Sequence, residues 1–127
     1  MRITYQMLMD RGACEQERIT FIKLFGRGNE GVEVTVEAAK AVASEFDWEW
    51  AVEYLIGWKE YTYWLNRVKR ASVDIREEIY NLHCRGGEQL TEDEYKEVRI
   101  QRLELYSDLK RIRAKVFAEL WIEKYGK

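Results

Sequence analysis

The chain has 127 residues, of which 46% are hydrophobic and 13% aromatic, a composition unlike that of disordered chains and suited to one domain with its own core. Its 21 basic and 23 acidic side chains leave a formal net charge of −2, so it is neither a bulk polycation for nucleic acid nor a bulk polyanion. Proline is absent, which fits a chain spent mostly in helices, and no apolar run approaches the roughly 18 residues of a membrane span.

The first residues, Met1 to Gln6, lack a basic region followed by an apolar stretch, so no signal peptide is expected. Thr4 can cap a short first helix that carries Met7 and Leu8 and stops before Gly12. Cys14 to Phe25 reads as a second helix with Ile19, Ile22 and Phe25 on one face, broadened by Phe21 and Leu24. A loop with three glycines, Gly26, Gly28 and Gly31, follows, then Val32-Glu33-Val34, a minor extended segment too short to form a sheet alone. Thr35 caps a third helix expected to reach Glu45, with Val36, Ala39, Val42, Ala43 and Phe46 as its apolar face.

Asp47 caps the next element, where the pattern lengthens. Trp58, Tyr61, Leu65, Val68, Ser72, Ile75, Ile79 and Leu82 recur three and four apart, a heptad seam of coiled-coil type. Gly57 is the one place where this helix could bend or break. It ends near Arg85, before Gly86-Gly87. Thr91 and Glu94 then match a capping box, and the spacing resumes at Tyr95, Val98, Arg102, Leu105, Leu109, Ile112 and Val116, with Arg102 out of character. A short connection makes such helices antiparallel neighbours. Reflection about the turn at 86–90 sets Leu65 beside Leu109, Val68 beside Leu105 and Ile75 beside Ile100.

The expected fold is therefore all-α. A small N-terminal helical bundle (1–57) packs on a long antiparallel helical hairpin (58–127), together one domain.

Few residues suggest chemistry. Cys14 and Cys84 read as free thiols of an intracellular helical chain. His83 beside Cys84 lacks the short ligand spacing of a zinc site, and Cys14 has no obvious base. The glycine loop lacks the Lys-Ser/Thr of a phosphate-binding loop. No catalytic, cofactor-binding or metal residue is expected, and no enzyme.

Charge and aromatic patterning say more. Residues 1–57 carry six Lys/Arg against ten Asp/Glu, whereas residues 58–127 carry fifteen against thirteen. Arg67, Lys69 and Arg70 on one hairpin helix and Lys110, Arg111, Arg113 and Lys115 on the other reflect onto neighbouring levels. With Tyr63, Trp64 and Tyr106 they could form one basic–aromatic band able to grip an acidic protein surface or to contact phosphates. The ordinary alternative is a solvated face, since Asp74 and Asp108 offset part of the charge. The chosen partner-binding set is Tyr63, Trp64, Arg67, Arg70, Arg102, Tyr106, Lys110, Arg111 and Arg113. The aromatics from Trp48 to Trp64 cannot all face one way, so most are expected in the core and the rest exposed.

Gly12-Ala13-Cys14, then Phe21 to Phe25-Gly26, then Val34-Thr35, then Phe46-Asp47-Trp48-Glu49-Trp50-Ala51 resemble a pattern in small phage and prophage proteins. The resemblance covers residues 1–57 and implies provenance in a mobile element. By analogy it implies a protein that binds and blocks a bacterial protein or nucleoprotein complex in the host cytoplasm, as anti-CRISPR and other anti-defence inhibitors do. A non-enzymatic inhibitor of that kind is the leading expectation. A nucleic-acid-associated helical module ranks second, and a structural or assembly protein that forms homodimers through the hairpin ranks third.

Overall fold

A computed structural model of the chain describes residues 2–26, 30–85 and 89–126. The expected Gly86-Gly87 turn and residues 27–29 of the glycine loop lie outside the described residues. The fold is mainly α-helical: β1 (Arg2–Ile3), α1 (Tyr5–Asp10), α2 (Glu15–Phe25), β2 (Val32–Glu33), α3 (Val36–Ala41), α4 (Trp48–Ala51), α5 (Tyr61–Ala71), α6 (Val73–Arg85) and α7 (Glu92–Tyr125).

The extended segment finds its partner at the start of the chain. β1 and β2 pair antiparallel, Arg2 opposite Glu33 and Ile3 opposite Val32. The Arg2 guanidinium donates to the carbonyls of Glu30 at 2.6 Å and Gly31 at 3.1 Å. Gly31 has φ +65°, and a Cβ there would collide with the Ile3 carbonyl, so glycine is what permits the pairing.

Helix starts follow the capping residues. The Thr4 and Thr35 hydroxyls accept from the N–H groups of Met7 and Ala38, and the Asp47 carboxylate accepts from that of Trp50. Cys14 caps α2 by backbone alone. The buried residue of α2 is Phe21, whereas Ile19, expected on the inner face, is exposed. Phe21 wins because it opens a chain of ring contacts that runs through Phe25, Phe46, Trp48, Phe117 and Trp121 to Tyr125, with centroids 4.6 to 6.2 Å apart. α3 ends at Ala41 rather than Glu45, and turns carry residues 42–46 back to Asp47.

The long helix expected from residue 48 is interrupted twice. α4 widens into a π-helical segment, Val52–Ile56, which ends at Gly57 with φ +153°. The carbonyls it leaves open are met by side chains from elsewhere: Arg11 donates to Tyr54, Tyr125 to Leu55 and Lys124 to Ile56. A 3₁₀ turn, Trp58–Glu60, then leads into α5. The second break is at Ser72, fully buried, whose hydroxyl donates to the Val68 carbonyl at 2.6 Å and separates α5 from α6.

α7 spans 34 residues, about 50 Å at 1.5 Å per residue, and opens with the expected capping box of Thr91 and Glu94. α5, α6 and α3 all pack on it. Arg85 meets Glu94, Trp64 donates to the Arg113 carbonyl and Tyr125 to that of Leu55, so the hairpin is antiparallel as expected. Its register departs from simple reflection. Arg67 pairs with Glu119 and Glu123, well beyond the level that places Val68 beside Leu105. Reflection assumes two straight helices, and the break at Ser72 and the long reach of arginine violate that assumption.

Candidate partner-binding surface

The nine residues of the expected band do not share one surface. Trp64 is a core residue, 0% exposed, with its indole N–H on the Arg113 carbonyl at 3.3 Å, and cannot contact a partner. Arg67 is held by Glu119 at 3.4 Å and Glu123 at 3.0 Å and lies over the exposed Tyr63 ring, so its charge is spent on fastening α5 to α7. Arg70 is exposed. Arg111 is bound to Asp108 one turn earlier, at 2.8 Å. Lys110 and Arg113 border a recess whose other wall is Ala43–Glu49, where Glu45, Asp47 and Glu49 offset them. On α7 the band is thus divided along the helix, Lys110 and Arg113 beside the N-terminal bundle and Arg102 and Tyr106 beyond it, with Arg111 turned to another side.

Arg102 and Tyr106 belong instead to a groove at the distal end of the hairpin. It holds about 480 Å³ and is lined by His83 of α6 and by Tyr95, Val98, Arg99, Arg102, Leu103 and Tyr106 of α7. Among the described residues no lining residue is acidic. Three carboxylates of α7 are engaged elsewhere: Glu92 with Lys96, Glu94 with Arg85 and Thr91, Glu97 with Gln101. Among the described residues neither Arg99 nor Arg102 has an ion pair or a hydrogen bond. A groove with two open guanidinium groups, two phenol hydroxyls and an imidazole can receive an anionic group, while Val98 and Leu103 offer apolar contact.

Sequence reasoning found Arg102 and Tyr106 but missed the other five. A signal for Tyr95 and Arg99 was present. Tyr95, Arg99, Arg102, Tyr106, Lys110, Arg113, Phe117 and Trp121 recur three and four apart, a second stripe that shares Tyr95 and Arg102 with the expected seam and then runs beside Leu105, Leu109, Ile112 and Val116. Attention to the seam hid the stripe next to it.

A second recess lies inside the N-terminal bundle among Phe21, Phe25, Phe46, Trp48 and Phe117, with Glu17 and Asp47 at its side. Burial, and after it the nearby Asp47 charge, raises the Glu17 carboxyl above its usual range, although the Asp47 N–H lowers it in part. The recess holds only about 70 Å³, half of what a benzene-sized guest occupies, so it is an imperfection of packing rather than a ligand site.

Among the described residues no three of His, Cys, Asp and Glu come together to hold a metal, and no helix is long and apolar enough to cross a membrane. Cys14 and Cys84 are both exposed and unbridged. Comparison of the chain with protein-family models, curated proteins and solved structures returns no match.

Proposed function

We propose that the protein is a non-enzymatic binding protein that acts by covering a surface of another protein with the distal half of its hairpin. The observation that carries this reading is the exposure of Val73, Tyr80, Tyr95, Ile100, Leu103 and Tyr106, all on the part of the hairpin that has two helices and no third layer. Such side chains cluster where a partner completes the packing. Tyr is also favoured at interfaces, because it offers a large rigid area with a polar tip. The resemblance of residues 1–57 to phage and prophage proteins supports a bacterial host protein as the partner and inhibition by occlusion as the consequence.

Photo-crosslinking in bacterial cells tests the reading. A benzophenone side chain placed at Tyr95 or Tyr106 should give a discrete protein adduct, and one placed at Lys115, on an exposed part of α7 outside the groove, should not. Equal adducts from all three positions, or none from the groove, would remove this reading. Adducts only with nucleic acid would favour the helical nucleic-acid module, and adducts only with the chain itself would favour homodimerisation.

A further inference from the structure

The α7 stripe from Tyr95 to Trp121 is covered at one end and bare at the other. At its C-terminal end Phe117 is 2% exposed and Trp121 1%, because Trp48 packs on Phe117 and α3 lies along this part of α7. At its N-terminal end Tyr95 is 57% exposed and Tyr106 43%, and Leu103 beside them is 62% exposed. Among the described residues the same face of one helix therefore carries a packed helical layer over half its length and leaves the rest exposed. His83 from α6 closes the far wall of the uncovered half, making it a groove between two antiparallel helices.

We propose that this groove is the seat of an acidic amphipathic helix of the protein partner. The proposal rests on the protein-binding reading above and specifies the chemistry of what is bound. A helix is the shape that a groove between two helices accepts, and it would extend the layer that α3 begins. Its apolar side chains would lie on Val98, Leu103 and the rings of Tyr95 and Tyr106. Its carboxylates would meet Arg99 and Arg102, which among the described residues have no acidic neighbour in the groove and which, as planar forks, suit carboxylates in paired geometry. A nucleic-acid backbone fits less well. Val98, Leu103 and the rings of Tyr95 and Tyr106 give the groove apolar surface that a phosphate backbone leaves unused.

The test is a titration of the isotope-labelled full chain, followed by NMR, with a synthetic amphipathic peptide bearing leucines at helical spacing and glutamates on its flanks. The expected shifts map to His83, Tyr95, Arg99, Leu103 and Tyr106. Replacing the glutamates by glutamine should weaken binding about tenfold, and so should R99Q with R102Q on the protein, an order of magnitude typical of charge-assisted pairing in a partly desolvated site. L103D should abolish binding of both peptides, while far-ultraviolet circular dichroism confirms that each variant remains helical. If the glutamine peptide binds as tightly, acidic selectivity is refuted while the protein-binding reading stands. If a thymidine oligonucleotide binds and the peptide does not, the groove serves nucleic acid and the proposal is wrong. If neither binds and L103D instead dissolves a dimer seen by light scattering, the occupant is a second copy of the chain. Absence of crosslinked protein at Tyr95 and Tyr106 would reject the parent reading independently of these outcomes.

Discussion

Trp58 and Trp64 sit in neighbouring helical turns, yet one is 71% exposed and the other 0%. Removing the fully buried Trp64 indole opens a large cavity in the core beside the Tyr61 ring and deletes the donor on the Arg113 carbonyl, so Trp64→Ala should cost about 3–5 kcal/mol in a urea melt. Trp58→Ala should change stability by no more than ~0.5 kcal/mol, as exposed substitutions do. Ionisation gives a residue-level test at α7. The Thr91 hydroxyl first, and its backbone N–H second, hold the Glu94 carboxyl below its usual range. A carboxyl lowered in the folded state stabilises above its unfolded pKa, and that contribution disappears as pH falls through the folded value. Thr91→Ala should therefore return Glu94 toward ordinary titration in an NMR pH series, and should cost about 1 kcal/mol through the lost cap. Glu17 has the opposite sign. Its folded pKa is raised, so its ionised form opposes folding at neutral pH. Glu17→Gln should raise the urea midpoint at neutral pH, and the gain should shrink as pH falls into the carboxylate range.

At the scale of elements, starts were legible and interruptions were not. Thr4, Thr35, Asp47 and Thr91 each combine a short side-chain acceptor with a following run of helix formers, a local signal that needs no tertiary partner. The three-four spacing from Trp58 to Leu82, by contrast, runs through Ser72 without a gap, so periodicity alone cannot register the break there. At Gly57 the chain turns through a backbone conformation that other residues rarely adopt, and the phase of the helix is reset. Trp58, first in the expected seam, lies in the 3₁₀ turn before α5 and faces solvent, while Trp64, assigned to the surface, neighbours the seam position Leu65 on α5 and fills the core. Gly57→Ala tests this directly. The φ of +153° penalises any Cβ, and the added methyl would also press on the Glu60 carboxylate, so a loss of roughly 1–3 kcal/mol is expected by chemical denaturation. A negligible loss would mean that the bend after Ile56 tolerates an ordinary residue and is not what sets the phase of α5.

Across the whole molecule, packing is graded along α7. Its C-terminal half is covered by α3, α4, the π-helical segment and α5, and supplies Ala114, Val116, Phe117, Ala118, Leu120 and Trp121 to the core. Its N-terminal half packs on α6, where Ile75, Ile79 and Leu82 are half-buried and, among the described residues, none of α6 is fully buried. The hairpin was readable because heptad spacing and a capping box are local. The groove was not, because it depends on where the N-terminal bundle stops along α7, and no spacing rule encodes that boundary. Arg102 in a seam position was the one trace of it, a charged residue where an apolar one was due. This gradient should appear in amide hydrogen exchange. Amides of Ala114 to Trp121 and of Trp64 to Val68 should exchange only with global unfolding, whereas α6 and residues 95–106 should open at lower free energy, since two helices bury too little apolar surface to match the core. A ligand held in the groove should selectively slow the second set, because binding to the closed hairpin alone stabilises it by mass action. Uniform protection along α7 would show that the distal hairpin is already as stable as the core, and would remove the energetic reason for expecting a third layer there.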